Sequence, residues 1–178
     1  PLSELFDETY NYIKNINDTL SDSTITHLTN SVLTFSDLIT NRKTDYKFDL
    51  EKFTNVNGKT GIYIQYSQVR AKKLIETIDN HKEEIKELIL NKTDKKLLSK
   101  LFLFSHYLEQ SALLNEPHHL ANYLYEISNL FNQFYENEKL TSITDPNQMA
   151  SKLYIINLFL TTSHNTMFCL GILPVDEM

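Results

Sequence analysis

At 178 residues the chain is long enough to bury a sizeable core, as one domain or a domain plus an extension. Gly 3, Pro 4 and Trp 0 leave few breakers, no strongly alternating run argues for strands, and the sequence reads as all-α. A net charge of −6 excludes bulk electrostatic capture of nucleic acid, so any RNA contact has to be local. The lone cysteine, Cys169, excludes an internal disulfide framework and suits a reducing compartment. No secretory leader and no apolar run of membrane-spanning length is read, so no membrane partner is expected.

In chain order, a helix is predicted over 1–16. Ser3 can cap it, Glu4, Asp7 and Glu8 sit near its positive end, and Leu2, Leu5, Phe6, Tyr10 and Ile13 share a face. After a polar break, a weaker helical period runs over 24–39 on Ile25, Leu28, Val32, Phe35 and Leu38. Arg42 and Lys43 follow, as solvated helix-end cations or as contacts to a polyanion.

The long helix predicted over 60–80 is the centre of the chain. Gly58 and Gly61 permit a turn, and Thr60 offers its side-chain oxygen to the first free N–H groups. Ile62, Val69 and Ile75 lean to one side, whereas Tyr63, Tyr66, Arg70 and Lys73, at i, i+3, i+7 and i+10, share another. Two phenols followed by two cations place flat faces beside charges, the combination that holds unstacked bases. From spacing alone, half-buried tyrosines at a core edge beside solvated cations are the commoner arrangement.

Residues 81–90 mix Lys82, Glu83, Glu84, Lys86 and Glu87 in the manner of an exposed face. One helix is predicted over 93–114, apolar enough to be core on more than one side. Another is predicted over 117–135, with Pro117 at its first position and Leu120, Leu124, Ile127, Phe131 and Phe134 as its buried stripe. Tyr123, Tyr125 and Tyr135 leave that stripe at different angles. A polar loop over 141–148 contains Asp145-Pro146, and a mostly apolar helix over 149–170 ends at Gly171, which can take the left-handed cap.

No catalytic group emerges from these residues. The histidines His27, His81, His106, His118, His119 and His164 are dispersed. His118 and His119, neighbours on a helix, are expected to diverge by about a hundred degrees and not to share an ion, so no metal site is predicted. Cys169 reads as a core residue, and no Gly-rich phosphate loop is present.

Four stretches, grouped in three regions of the chain, carry a family likeness. Gly58-Lys59-Thr60-Gly61, then Tyr63-x-Gln65-Tyr66-x-x-x-Arg70, resembles the opening of the anticodon-binding domain of arginyl-tRNA synthetases. Asp45-Tyr46-x-Phe48-Asp49 resembles what precedes it. Pro117-His118-x-Leu120-Ala121-x-Tyr123-Leu124-Tyr125-Glu126, followed by Phe131-Asn132-x-Phe134-Tyr135, is similar to the central helix of that domain, and Leu170-Gly171-Ile172 through Met178 to its end. The resemblance implies an all-α bundle of the class I synthetase anticodon-binding type, with a DALR-type anticodon-binding domain over 58–178. It also implies a helical linker over 1–57 that reaches the tRNA stem.

The implied partner is arginine tRNA, held by its anticodon arm, with neither DNA nor membrane. Tyr63, Tyr66, Arg70 and Tyr123 are implied to hold anticodon-loop bases, Lys73 to add charge, and Met178 to lie against the loop. Neither a Lys-Met-Ser-Lys-type loop nor a His-x-Gly-His motif is present. No cofactor is therefore expected in this stretch, and ATP with magnesium is implied for the whole arginine–tRNA ligase. A cytoplasmic monomer is the corresponding expectation. Glu76 stands where the family commonly has a basic residue, leaving Lys72 or Lys73 to supply that charge, and Ser67-Gln68 replaces the commoner Ala-His. The alternative is a non-catalytic helical protein-interaction module whose tyrosines only pack.

Overall fold

A computed structural model of the chain describes residues 1–78, 87–137 and 140–178. The helices are α1 (Leu2–Ile16), α2 (Asp22–Leu38), α3 (Leu50–Phe53), α4 (Gly61–Ile78), α5 (Lys92–Leu101), α6 (Phe104–Leu114), α7 (His118–Asn137) and α8 (Pro146–Cys169), with one 3-10 turn at Leu140–Ser142. Among the described residues there is no strand, and no helix is long and apolar enough to cross a membrane. The charged stretch expected over 81–90 lies largely outside the described residues.

α4 is the wall shared by two apolar clusters. Ile64 and Ala71 face the larger one, with Leu97 and Leu101 of α5, the stripe Leu120, Leu124, Ile127, Phe131 and Phe134 of α7, and Ile155 and Phe159 of α8. Phe131 and Phe159 stack there with centroids 4.1 Å apart. Ile62 and Val69 face the smaller cluster, with Ile13 of α1, Ile25, Leu28 and Val32 of α2, and Phe53. Burying each such side chain contributes about 1.5–3 kcal/mol, so α4 is fixed from both flanks.

Gly61 makes the tight crossing possible. A Cβ at this position would lie 2.3 Å from the Ser31 carbonyl oxygen of α2. Its role is therefore close helix approach and not the turn expected from sequence; the turn falls to Gly58, at φ +97. Gly171, at φ +73, takes the left-handed position after α8 as expected.

The segment 93–114, expected as one helix, is two. α5 stops at Leu101, and the Tyr123 hydroxyl of α7 donates to the carbonyls of Lys100 (3.2 Å) and Leu101 (3.0 Å). The Lys100 carbonyl also accepts the Leu103 N–H at 3.1 Å, so a tight backbone turn and a buried phenol together cap α5, with no glycine. Nor is that segment core throughout: Phe102 is 64% and Leu113 74% exposed. Cys169, expected in the core, is exposed. At the start of α5, Asn91 and Asp94 form a capping box, and Asp94 is fully buried against the Lys152 ammonium of α8 at 2.7 Å.

Candidate nucleic-acid interface

The site grows from the start of α4. Thr60 accepts the Tyr63 backbone N–H at 3.1 Å and donates to the Asn55 carbonyl at 2.6 Å, which anchors the first turn. From there Tyr63, Tyr66 and Arg70 rise along one face, each half-buried, and Lys73 stands exposed one turn on. The stripe read from sequence is present, and it is not isolated. α7 lies alongside with Asn122, Tyr125, Asn129, Asn132 and Glu136, spaced 3, 4, 3 and 4 residues apart, facing α4.

Lys59, just before α4, and Tyr63 and Arg70 of the stripe each meet residues of α7. Lys59 donates to Asn122 Oδ1 at 2.9 Å, with its ammonium 5.4 Å from the Tyr125 ring centroid. The Tyr63 ring leans on Tyr125 at 5.6 Å, and its hydroxyl donates to Asn129 Oδ1 at 3.3 Å. Burial pushes the Tyr63 phenol above its ordinary pKa. The Arg70 guanidinium is sandwiched between Tyr66, at 4.2 Å, and Tyr135, at 4.6 Å. Its NH1 donates to Asn132 Oδ1 at 3.1 Å, while Asn132 Nδ2 donates to Ser67 Oγ at 2.8 Å. Asn132 thus fixes both the cation and the helix carrying it. Glu136, 69% exposed and 4.0 Å away, adds little to the hold on Arg70.

The end of the chain is tied to the same helix. Gln65 is fully buried and donates to Ser31 Oγ and to the Leu173 carbonyl, both at 2.7 Å. Its Oε1 accepts the Val175 N–H at 3.0 Å. Lys72 donates to the Val175 carbonyl at 3.0 Å and to Asp176 at 2.7 Å, which holds the Asp176 carboxyl below its ordinary pKa. Lys72 is therefore spent on the tail, and Lys73 is the cation left on this part of α4 beside Glu76. Met178, half-buried, packs on the smaller cluster. With Tyr66, Ile13 and Ile62 it lines an apolar cavity of about 260 Å³.

Tyr123 does not join this face. It is fully buried, stacked on Tyr107 at 4.8 Å with its hydroxyl on the α5 carbonyls, and burial holds its phenol far above the ordinary range. The residues that do join from α7, Tyr125 and Tyr135, were visible in the sequence as tyrosines off the buried stripe. The 3-4-3-4 spacing of Asn122, Tyr125, Asn129, Asn132 and Glu136 singles out Tyr125; Tyr135 lies off that series and joins through its contact with Arg70.

The expected divergence of His118 and His119 is also wrong. Their rings lie 4.1 Å apart, and Glu116 joins them, with one ligand-type atom of each within 4.8 Å of the others. His119 Nε2 is 3.2 Å from Glu116, and His118 Nε2 is 3.5 Å from Asn41 Nδ2. These residues straddle the start of α7, so the regular helical angle assumed from sequence does not apply to their rotamers. Among the described residues this is the sole such cluster.

Residues 64–178 match the DALR anticodon binding domain family. The chain belongs to that family. Arginine–tRNA ligase of Francisella tularensis subsp. novicida is 34% identical over 161 residues, which is 85% of this chain and 28% of that protein. The enzyme of Frankia casuarinae is 30% identical over 164 residues, 89% of this chain and 28% of that protein. The chain thus spans about 28% of the length of these curated relatives. Arginyl-tRNA synthetase of Thermus thermophilus superposes on 99% of this chain and 31% of its own, with a TM-score of 0.84 at 18% identity. That of Plasmodium falciparum superposes on 99% and 32%, with a TM-score of 0.81 at 23% identity. At these identities the superpositions establish the fold alone: an all-α bundle.

Proposed function

We propose that this DALR domain recognises the anticodon arm of arginine tRNA as the C-terminal region of an arginine–tRNA ligase. The observation that carries the reading is the Arg70 guanidinium held between Tyr66 and Tyr135, next to Tyr63 and Tyr125. Ordered rings supply stacking faces for unstacked bases, and a fixed guanidinium supplies donors for a base edge or phosphate. Because these side chains are already ordered, little conformational entropy remains to be lost on binding. Lys73 contributes charge at the edge of the face, and Met178 closes its lower end beside Tyr66. Residues 1–57 serve as the linker that reaches the tRNA stem, and 58–178 as the anticodon-binding domain.

On this reading the protein works in the cytoplasm as a monomer, and its ligand is tRNA and not DNA. ATP with magnesium serves the activation of arginine elsewhere in such a ligase. This sequence has neither of the nucleotide-site motifs, and no described residue is assigned to that chemistry.

Filter binding with an arginine-tRNA transcript and a second, non-arginine tRNA tests the reading. Tyr66→Ala is expected to weaken arginine-tRNA binding by about 1–3 kcal/mol, as for one lost stacking partner. Lys73→Ala should lower the salt slope by about one unit. An unchanged dissociation constant for Tyr66→Ala, or equal binding of both tRNAs, refutes it and favours a protein-interaction module.

A further inference from the structure

α5 carries a cationic face that the anticodon reading leaves unused. Lys92, Lys96 and Lys100 fall at i, i+4 and i+8, with Lys95 alongside; Lys92, Lys95 and Lys96 are exposed. The helix has one acid, Asp94, and it is turned inward onto Lys152, so no carboxylate of α5 reaches its surface. Like charges one turn apart destabilise a helix by about 0.2–0.5 kcal/mol per pair, and here that repulsion goes unrelieved by any acid on α5. The arrangement stands out in a chain with 17 cations and 23 anions.

The stripe borders the aromatic face. Lys96, Ser99 and Lys100 line one side of a groove of about 410 Å³, and Glu126 and Asn129 of α7 line the other. Asn129 is the residue that accepts the Tyr63 hydroxyl, so the groove and the aromatic face share a wall. Lys100 is already engaged by Glu126 and by the Tyr107 hydroxyl at 2.7 Å, which leaves Lys92, Lys95 and Lys96 as the open donors. From Lys92 to Lys100 the helix rises about 12 Å, the length of a few nucleotides of strand.

We propose that the α5 stripe is a second RNA contact, a phosphate-binding track for the strand that leaves the aromatic face. It rests on the anticodon reading for its direction and on its own charge pattern for its chemistry. The ligand is the RNA backbone, recognised without sequence.

The test measures binding of the arginine-tRNA transcript to the 178-residue chain as a function of salt. Lys92→Ala/Lys96→Ala should reduce the magnitude of the log–log salt slope by about 1.4, at about 0.7 per phosphate contact. The affinity ratio between parent and variant should then shrink about seven-fold between roughly 50 and 200 mM salt. Lys92→Arg/Lys96→Arg should retain the parental slope. Alanine at exposed helical sites favours the helix, so circular dichroism should be unchanged. A parental slope in the alanine variant overturns the track, whatever Tyr66→Ala does. A reduced slope alongside an inert Tyr66→Ala supports the track and refutes the aromatic reading instead.

Discussion

Gln65→Ala removes the fastening between α4, α2 and the end of the chain, and its effect can be worked from the contacts. The amide donates to Ser31 Oγ and the Leu173 carbonyl and accepts from the Val175 N–H, in a fully buried setting. Ser31 keeps a partner, since its hydroxyl donates to the His27 carbonyl at 2.8 Å. The two donated bonds contribute about 1 kcal/mol each, and stranding the buried Val175 N–H costs about 1–3 kcal/mol more. The expected loss is about 3–5 kcal/mol. Peeling of residues 172–178 from α4 sets the ceiling, because a detached tail returns the stranded groups to water. With a urea m-value of about 2 kcal/mol/M, a loss near 3 kcal/mol lowers the midpoint by about 1.5 M. If the tail peels instead, the midpoint moves less, but the Val175 amide loses its hydrogen-exchange protection. In that case Met178 also leaves the neighbourhood of Tyr66, and arginine-tRNA binding should weaken. A parental midpoint together with a protected Val175 amide would refute the reasoning.

Other expectations concern single contacts. Tyr123→Phe should lose about 1–2 kcal/mol in urea unfolding, through the Leu101 carbonyl left without its phenol partner, yet leave arginine-tRNA affinity unchanged in filter binding; a tenfold weaker complex would return Tyr123 to the RNA face. Gly61→Ala should destabilise by about 2–3 kcal/mol or more, since its Cβ meets the Ser31 carbonyl at 2.3 Å, and a parental unfolding midpoint would show that α2 and α4 separate freely. His118 should titrate below 6.5, because burial and the neighbouring His119 disfavour its charged form. A depressed histidine pKa means the unfolded chain binds the proton first. Its stabilising contribution is therefore present above pH 6.5 and lost as pH falls through the folded value. Ring-proton NMR reads that pKa, and a midpoint at or above 6.5 would count against it.

The helices were largely legible because their signals are local. Thr60 opens α4 and Asp145 caps α8 through hydrogen bonds that a reader of residue types anticipates. The α7 stripe Leu120, Leu124, Ile127, Phe131 and Phe134 is buried as its period requires. What could not be read depends on residues distant in sequence. The break between α5 and α6 has no glycine or proline, and its carbonyls are met by the hydroxyl of Tyr123, more than twenty residues on, as well as by the local Leu103 N–H. For the same reason Tyr123 was misplaced: nothing in its own segment says that its phenol is already occupied. Tyr63, Tyr66 and Arg70 were legible as a stripe, but their partners Asn129, Asn132 and Tyr135 belong to another helix. Lys152, a charged residue inside α8, finds its counter-ion on α5, a pairing no periodicity encodes.

The Arg70 sandwich gives the interface a polarity. Tyr66 has two faces, and the guanidinium already covers one of them at 4.2 Å. A ring covered on one side admits a flat visitor from the other side alone. The ring is therefore one-sided: any partner that stacks on Tyr66 shares it with the guanidinium and meets a surface whose far side is already cationic.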